Sequence, residues 1–347
     1  MSETVTGAQA VRDSIAGVMR SNSRAMTFGL GANDPGRVFG TTTNLLEEFG
    51  SERVFEGPTS ELAMTGVGVG LAVAGFPVIH SHQRMDFALL AMDQLVNSAA
   101  KWKFMFGDQF KVPYLVRMII GRGWGQGPTH SQNLESWLAH TPGLRVLVPA
   151  TPQDLSDSIY AIQDTEDPIV VIEHRWLHSV SGPVLESGQS LNFLSPVHHG
   201  ASGEAEVTIV VWGLATFDCL SAKNRLLDLG IDVEILQLRE LDAINFEKIK
   251  QLISASRRVL VVSNSWGPAS FADSVLADLA TSGFSDCNMS RVVYPHSPEP
   301  TALNQLKGFH VSDWRVANAV LEMLGKDMSL NPELPVDQPA GYNFGPF

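Results

Sequence analysis

Cysteine and charge are both scarce in this chain. Among its 347 residues, Cys219 and Cys287 are the two cysteines, and they form neither a CxxC pair nor a cluster with metal-ligand spacing. A disulfide scaffold is therefore excluded, and two buried thiols are predicted, with one disulfide as the alternative. Charged residues make up 18% of the chain, below the value of about 25% for typical soluble domains, which favours an oligomer that covers part of the surface.

Positive charge is scarcer than negative charge. The chain has 24 Lys and Arg against 37 Asp and Glu, so its formal net charge is −13. An acidic surface repels phosphate backbones and anionic headgroups, which argues against nucleic acid or a membrane surface as the main partner.

A long apolar run is also missing. The most apolar stretch, Ala63–Ile79, is interrupted by four glycines, a threonine and a proline, whereas a bilayer span needs about 20 apolar residues. The N-terminal residues have no basic segment followed by an apolar one, as a secretory signal would. These absences predict a soluble cytoplasmic protein.

The chain is long enough for two domains of roughly 100–200 residues each. Strand and helix patterns alternate in two blocks, which predicts an α/β fold with a mainly parallel sheet flanked by helices in each. We place the domains at 1–185 and 205–330. Between them, the weakly periodic stretch around Ser179–Gly203, rich in Ser, Gly, Pro and His, predicts a linker at 186–204. A Pro-rich tail follows at 331–347.

Within the blocks, apolar runs and helical periodicity define the predicted elements. The run at 168–172 is continuously apolar, as in strands buried on both faces. Predicted strands lie at 53–55, 76–81, 112–120, 145–148, 168–173, 206–212, 232–236, 258–262 and 292–294. Predicted helices lie at 61–74, 88–101, 131–139, 152–163, 217–229, 246–254 and 269–280, and 311–324 completes the pattern.

Glu61 is the first candidate functional residue. It follows Gly57-Pro-Thr-Ser at the start of a predicted helix of Ala, Gly, Val and Leu. A carboxylate in the first turn complements the helix dipole, worth about 0.3–1 kcal/mol. However, such an apolar helix is predicted to be packed tightly inside the protein, where a carboxylate needs a partner or a function. The residues alone leave both explanations open.

His130 lies in a glycine-rich loop, Gly123–Gln132, which follows the predicted strand at 112–120. Glycines let the backbone approach a ligand closely, and loops at the carboxyl ends of strands form sites in open α/β sheets. His130 is therefore a candidate for proton transfer. The alternative is that His130 or Ser131 caps the next helix.

Aromatic and imidazole side chains precede the helix at 88–101. Phe87 is either a core residue or a platform for a cofactor. His80 and His82 alternate on a predicted strand and so share a face, but no third ligand accompanies them, which argues against a metal site.

Taken together, several segments resemble the β subunits of the pyruvate, branched-chain and acetoin dehydrogenase decarboxylase components, which belong to the transketolase-like superfamily. The resemblance covers nearly the whole chain. Its segments are 45–55, 58–61, 92–101, 129–132, 139–144, 148–152 and 207–213. The resemblance implies a pyrimidine-binding domain followed by a transketolase C-terminal-like domain.

The resemblance also implies roles for individual residues. Glu61 matches the carboxylate that hydrogen-bonds the aminopyrimidine of thiamine diphosphate, and His130 matches a histidine that assists proton steps. Both are expected to be catalytic. Phe87 matches the aromatic residue that packs on the pyrimidine, and Gln83 and Met85 are further cofactor-binding candidates.

His82 and Arg84 are the substrate-binding candidates. Arg84 lies where many relatives have an uncharged residue, and a cation there would favour a carboxylate or phosphate substrate. The alternative is an ion pair with Asp86 or with a partner residue.

A Gly-Asp-Gly sequence, which holds the diphosphate and Mg²⁺ in this superfamily, is absent here. Gly107-Asp108-Gln109 is the nearest approach. Since Mg²⁺ requires carboxylate, amide and phosphate oxygens, the resemblance implies that an α-type subunit supplies the Mg²⁺ ligands in an α2β2 heterotetramer. It also suggests a K⁺ site near 161–167.

The resemblance implies decarboxylation of a 2-oxo acid and transfer of the acyl unit to a lipoyl group on an acyltransferase core. The alternative is a split transketolase or acyloin synthase that transfers a two-carbon or acyl unit to an aldehyde or sugar. Two departures from the family favour it, because Gly29-Leu-Gly31 and Ser263-Asn264-Ser265 replace segments that carry acidic residues. A subunit without catalytic function would be expected to lack Glu61 or His130.

Overall fold

The computed structural model of the chain describes residues 3–123, 125–185, 193, 195–201, 204–241, 249–250, 253 and 256–331. The chain forms two compact units. The first unit comprises Met1–Ile120 and Trp137–Leu191, and the second comprises Gly121–Ser136 and Asn192–Phe347. Most of the predicted linker, most of the predicted helix at 246–254 and nearly all of the tail lie outside the described residues.

The first unit is built on a parallel sheet. Its described strands are β1 Glu3–Thr6, β2 Met26–Gly29, β3 Val54–Phe55, β4 Val78–His82, β5 Tyr114–Ile120, β6 Arg145–Leu147, β7 Ile169–His174 and β8 Ser181–Val184. Six of them pair in parallel in the order β3-β2-β4-β5-β7-β6. Every residue of β4, β5 and β7 is buried, so the predicted α/β fold and its doubly buried strands are confirmed.

Helices connect these strands along the chain. They are α1 Gly7–Ser21, α2 Leu45–Phe49, α3 Glu61–Val73, α4 Met85–Ala88, α5 Ala100–Met105, α6 Glu135–Ala139 and α7 Pro152–Tyr160. The helix predicted at 88–101 is divided, because a 3₁₀ turn at Leu89–Ala91 and a π-helix at Gln94–Ala99 separate α4 from α5. The helix predicted from 131 begins only at Glu135, where the Asn133 side chain accepts a hydrogen bond from the Glu135 N–H at 3.2 Å.

The second unit contains a mixed sheet. Its described strands are β9 Val197–His199, β10 Val207–Trp212, β11 Val233–Leu238, β12 Arg258–Trp266 and β13 Asn288–Tyr294, in the spatial order β13-β12-β10-β11-β9. All pairs are parallel except β9 with β11. Its described helices include α8 Ala215–Asp228, α9 Phe271–Thr281, α10 Leu303–Leu306 and α11 Asp313–Met323.

Several local expectations require correction. Strands β8 and β9 lie in the stretch around 179–203, where no strand was predicted; β8 pairs with β1, and β9 pairs with β11. Both cysteines are free, and Cys219 is buried whereas Cys287 is partly exposed. The prediction of two buried thiols is therefore confirmed for Cys219 alone. Within the described part of the chain, none of the helices has the length and apolar composition to cross a bilayer.

Candidate active site

A pocket in the first unit gathers several of the predicted site residues. One wall comes from the end of β2 and the residue after it, Phe28–Leu30, and another from the segment before α3, which includes Gly57, Pro58 and Ser60. The carboxyl end of β4 supplies residues 80–83, and Glu61, Met64 and Phe87 complete the lining. Since β2 and β4 pair in parallel, the pocket lies at the edge of the sheet where α/β proteins usually bind ligands.

Glu61 is half-buried at the first position of α3 and lines this pocket. The expectation that α3 is packed tightly inside the protein is met on one face of the helix in the single chain. The helix covers the sheet through Thr65, Gly68 and Val69, where a Cβ on Gly68 would clash with the ring of Tyr114. Its other face leaves Leu62 47% and Val67 46% exposed. In the single chain, α3 therefore has an uncovered apolar face beside the pocket.

The two histidines of β4 share a face, as predicted, and their ring centroids lie 4.4 Å apart. His80 Nδ1 lies 2.7 Å from the Tyr114 hydroxyl, and His82 Nε2 lies 3.4 Å from Thr65 Oγ1. Burial lowers the pKa of His82 to about 4. Burial, and secondarily the proximity of His82, lowers the pKa of His80 well below its usual range. Both imidazoles are therefore neutral at pH 7.

Gln83 and Phe87 line the pocket together with His82 and Glu61. Gly31 has φ +79°, a backbone conformation that glycine adopts more readily than other residues. A Cβ at this position would also lie against the amide end of the Gln83 side chain.

Met85 and Arg84 are not among the lining residues. Met85 is the first residue of α4 and is 2% exposed, so it packs in the core. Arg84 is partly buried. Burial lowers the pKa of the Arg84 guanidinium, while the nearby Asp86 carboxylate raises it. The functional assignments of these two residues stay predictions.

His130 belongs to the second unit. The Nδ1 atom of the His130 ring lies 3.0 Å from Thr129 Oγ1. The backbone N–H of His130 donates to the carbonyl of Gly127 at 3.3 Å. The loop bends sharply, since Gly125 and Gly127 have φ near +70°. Because α6 begins at Glu135, neither His130 nor Ser131 caps it. That alternative for His130 is therefore wrong.

A buried ionic network in the first unit was not predicted. Arg117 donates through Nε and Nη2 to the two oxygens of Glu173 at 2.6 and 2.8 Å, and His178 Nε2 lies 2.9 Å from the same carboxylate. Arg117 Nη1 donates to Thr41 Oγ1 and to Ser81 Oγ, each at 3.0 Å. Since Ser81 also lines the pocket, this network supports one of the pocket walls.

The pocket suits a flat, polar aromatic ring. The Phe87 side chain offers an apolar surface, while the Glu61 carboxyl and the Gln83 amide offer hydrogen-bonding groups. Neither Lys nor Arg is among the lining residues, so a diphosphate would find no cation there. Among the described residues, no group of three or more His, Cys, Asp or Glu could hold a metal ion.

Comparisons with known proteins agree with this architecture. Residues 3–179 match the family model described as "Transketolase, pyrimidine binding domain", and residues 200–316 match "Transketolase, C-terminal domain". Among solved structures, a chain titled "Split gene transketolase, inactive beta4 tetramer" shares the fold, with a TM-score of 0.75 at 17% identity, over 93% of this chain and 99% of that chain.

Curated relatives match at higher identity. The chain is 32% identical over 270 residues to the acetoin:2,6-dichlorophenolindophenol oxidoreductase subunit beta of Cupriavidus necator, covering 76% of this chain and 78% of the relative. It is 29% identical over 308 residues to the 2-oxoisovalerate dehydrogenase subunit beta of Bacillus subtilis, covering 88% and 94%. It is also 29% identical over 305 residues to the mitochondrial pyruvate dehydrogenase E1 component subunit beta-1 of Arabidopsis thaliana, covering 86% and 84%.

Proposed function

Since the chain belongs to the transketolase-like family of 2-oxo acid dehydrogenase β subunits, we propose that it is the β subunit of a thiamine-diphosphate-dependent enzyme. The enzyme decarboxylates a 2-oxo acid and transfers the acyl unit to a lipoyl acceptor. The observation that carries the proposal is that Glu61, Gln83 and Phe87 line the same pocket.

The pocket residues would hold the pyrimidine half of the cofactor. The Glu61 carboxyl would share a proton with a ring nitrogen, Phe87 would pack on the ring, and Gln83 would hydrogen-bond its polar edge. His82 would act as an uncharged hydrogen-bonding group, since burial lowers its pKa to about 4. When bound, thiamine diphosphate supplies the carbon nucleophile and the electron sink for decarboxylation.

His130 and Arg84 would act on the substrate. His130, carried by the second unit, would exchange a proton with the reacting group, as general acid–base catalysis requires. Arg84 would attract the carboxylate of a 2-oxo acid, and its sequence position directly after Gln83 supports this role.

A partner chain would complete the cofactor site. The pocket has no Lys or Arg, and the sequence has no Gly-Asp-Gly. We therefore assign the diphosphate and Mg²⁺ to an α-type subunit in an α2β2 heterotetramer, and the uncovered face of α3 is consistent with further chain contacts. A lipoylated acyltransferase core as acceptor, a K⁺ near 161–167 and a cytoplasmic location stay predictions from the sequence.

The second candidate function is a split transketolase or acyloin synthase. Departures at 29–31 and 263–265 favour it. In the structure, Gly31 has φ +79°, and Ser263 Oγ donates to the buried Glu135 at 2.7 Å. The two reactions differ in the molecule that accepts the acyl unit.

The test is turnover by the chain co-expressed with its α-type subunit, in thiamine diphosphate and Mg²⁺. A panel of 2-oxo acids is offered with an artificial electron acceptor, with and without aldehydes. We expect dye reduction that Glu61→Ala abolishes and that Glu52→Ala, a change at an exposed carboxylate, preserves. Ligated product without dye reduction would establish the second function. Tight cofactor binding and turnover by this chain alone would refute the divided site.

A further inference from the structure

The second unit has a topological switch point between β10 and β12. Strand β10 pairs in parallel with both β11 and β12. The chain leaves β10 through α8 to reach β11 on one side, and later returns to β12 on the other side. In open α/β sheets, the crevice outside the carboxyl ends of such strands is the usual ligand-binding position.

In this chain, the segment Gly121–Ser136 makes contacts at that position. At the carboxyl end of β10, Trp212 Nε1 donates to Glu135 Oε1 at 2.8 Å, and at the carboxyl end of β12, Ser263 Oγ donates to the same oxygen at 2.7 Å. Asn133 Nδ2 donates to Glu135 Oε2 at 2.8 Å and to the carbonyl of Asn264 at 3.0 Å. Glu135 is only 2% exposed.

The other end of the segment is held at the same crevice. Arg122 Nη1 donates to Asn264 Oδ1 at 3.1 Å and to the carbonyl of Val311 at 2.8 Å. Arg122 Nη2 donates to Asp218 Oδ2 at 3.3 Å. Arg122 is 3% and Asp218 1% exposed.

Both anchors are polar groups removed from water, so leaving their hydrogen bonds unmade is costly. The chain between the anchors also fits closely, because a Cβ on Gly127 would clash with Thr301 Oγ1. His130 lies on this doubly anchored loop.

We infer that the switch-point crevice of the second unit binds the chain's own segment 121–136 in place of a ligand, and that Glu135 and Arg122 are positioning residues for His130. The inference rests on the proposed role of His130. A displacement of about 1 Å at a catalytic group can reduce a rate by about 100-fold, so anchoring a glycine-rich loop at both ends has a direct consequence for the rate.

Hydrogen exchange on the full chain tests the docking without any cofactor or partner. Ser263→Ala removes one donor to Glu135, and Glu135→Gln replaces one acceptor oxygen of the carboxyl by an amide nitrogen at nearly constant size. We expect amide exchange in 121–136 to accelerate about 10-fold in both variants. Ser263→Thr, which keeps the hydroxyl, should restore protection.

Thr208→Val is the matched control, because it removes another buried hydroxyl of the second unit. Thr208 Oγ1 donates to Glu234 Oε1 at 2.6 Å, in the half of β10 away from the segment. Exchange in 121–136 should stay at the wild-type rate in this variant. Wild-type exchange in both Ser263→Ala and Glu135→Gln would overturn the docking, as would equal acceleration in Thr208→Val.

Turnover of the α/β complex tests the positioning. We expect Ser263→Ala to lower kcat about 10-fold and to leave the KM for thiamine diphosphate unchanged, because the pyrimidine pocket belongs to the first unit. Faster exchange with wild-type kcat, in a complex that His130→Ala inactivates, would refute the positioning role alone. Wild-type kcat in His130→Ala would refute the proposed role of His130 and the positioning with it, while the exchange data would still decide the docking.

Discussion

Each unit buries an arginine against a carboxylate, and the two pairs differ in geometry. In the first unit, Arg117 meets both oxygens of Glu173 at 2.6 and 2.8 Å. In the second unit, Arg122 reaches a single oxygen of Asp218 at 3.3 Å. Among the residues that the structure describes, Asp218 Oδ1 has no hydrogen-bond partner.

The pKa values of the two buried carboxylates shift in opposite directions. Burial alone would raise the pKa of Glu173, but the bidentate contact with Arg117 prevails and holds the pKa at about 2. For Asp218, burial prevails over the Arg122 charge, and the pKa is raised to about 6. Arg122 divides its donors among Asn264, Val311 and Asp218. The first pair therefore stabilises the sheet, whereas Arg122 mainly holds the 121–136 segment.

Replacing each of the two carboxylates by its amide should give the largest difference in stability between the two pairs. Glu173→Gln leaves the fully buried Arg117 without a counter-charge, and we expect a loss of about 3–5 kcal/mol in the free energy of unfolding at pH 7. Asp218→Asn removes a single, longer contact of a carboxylate whose charged form burial disfavours, so a loss of less than about 1 kcal/mol is expected. Urea titrations of both variants measure the difference. Equal losses would show that the bidentate geometry has no special weight.

The strands of the first sheet were predictable because their apolar runs need no tertiary information. β5 and β7 begin and end within two residues of their predicted bounds. Helix α1 was missed although Thr6 and Gln9 form a capping box, a pattern that marks helix starts. β9 was missed because it is a short edge strand with two histidines, which gives no apolar run.

The pocket was predictable in part. Resemblance identified Glu61, Gln83 and Phe87, which line one pocket. The buried Arg117–Glu173 pair had only a weak signal, namely an arginine inside the apolar strand β5, which implies a buried partner without identifying it. The anchoring of Glu135 left little local signal, because two of its donors, Trp212 and Ser263, come from strands far along the chain.

As the pH falls, the contributions of the two carboxylates to stability should change in opposite directions. The pKa of Asp218 is about 6 in the folded chain, above its ordinary value of 3.8, so the folded state binds the proton more tightly. Its contribution to stability therefore grows as the pH falls from 7 to 5, by about 1 kcal/mol. Glu173, with a folded pKa of about 2, contributes stability that is fully present above its ordinary value of 4.5 and is lost as the pH falls towards 2.

Wild type and Asp218→Asn, compared by urea titration at pH 7, 6 and 5, provide the measurement for this prediction. The difference in unfolding free energy between them should increase towards pH 5 in favour of wild type. A difference that stays constant over this range would mean that Asp218 does not titrate there.

The smallest expected effect concerns a like charge near Asp218. After burial and Arg122, the Asp313 carboxylate is the next influence on Asp218, and it raises the pKa. Asp313→Asn should therefore move the pH midpoint of the stability gain downwards, while burial keeps it above the ordinary value. Glu322→Gln, an exposed change on the same helix, is the control and should leave the midpoint in place. An unchanged midpoint in Asp313→Asn would mean that Asp313 has no influence on the pKa of Asp218. Since Asp218 and Glu173 are both buried, the difference between their pKa values would then come from their hydrogen bonds with arginine.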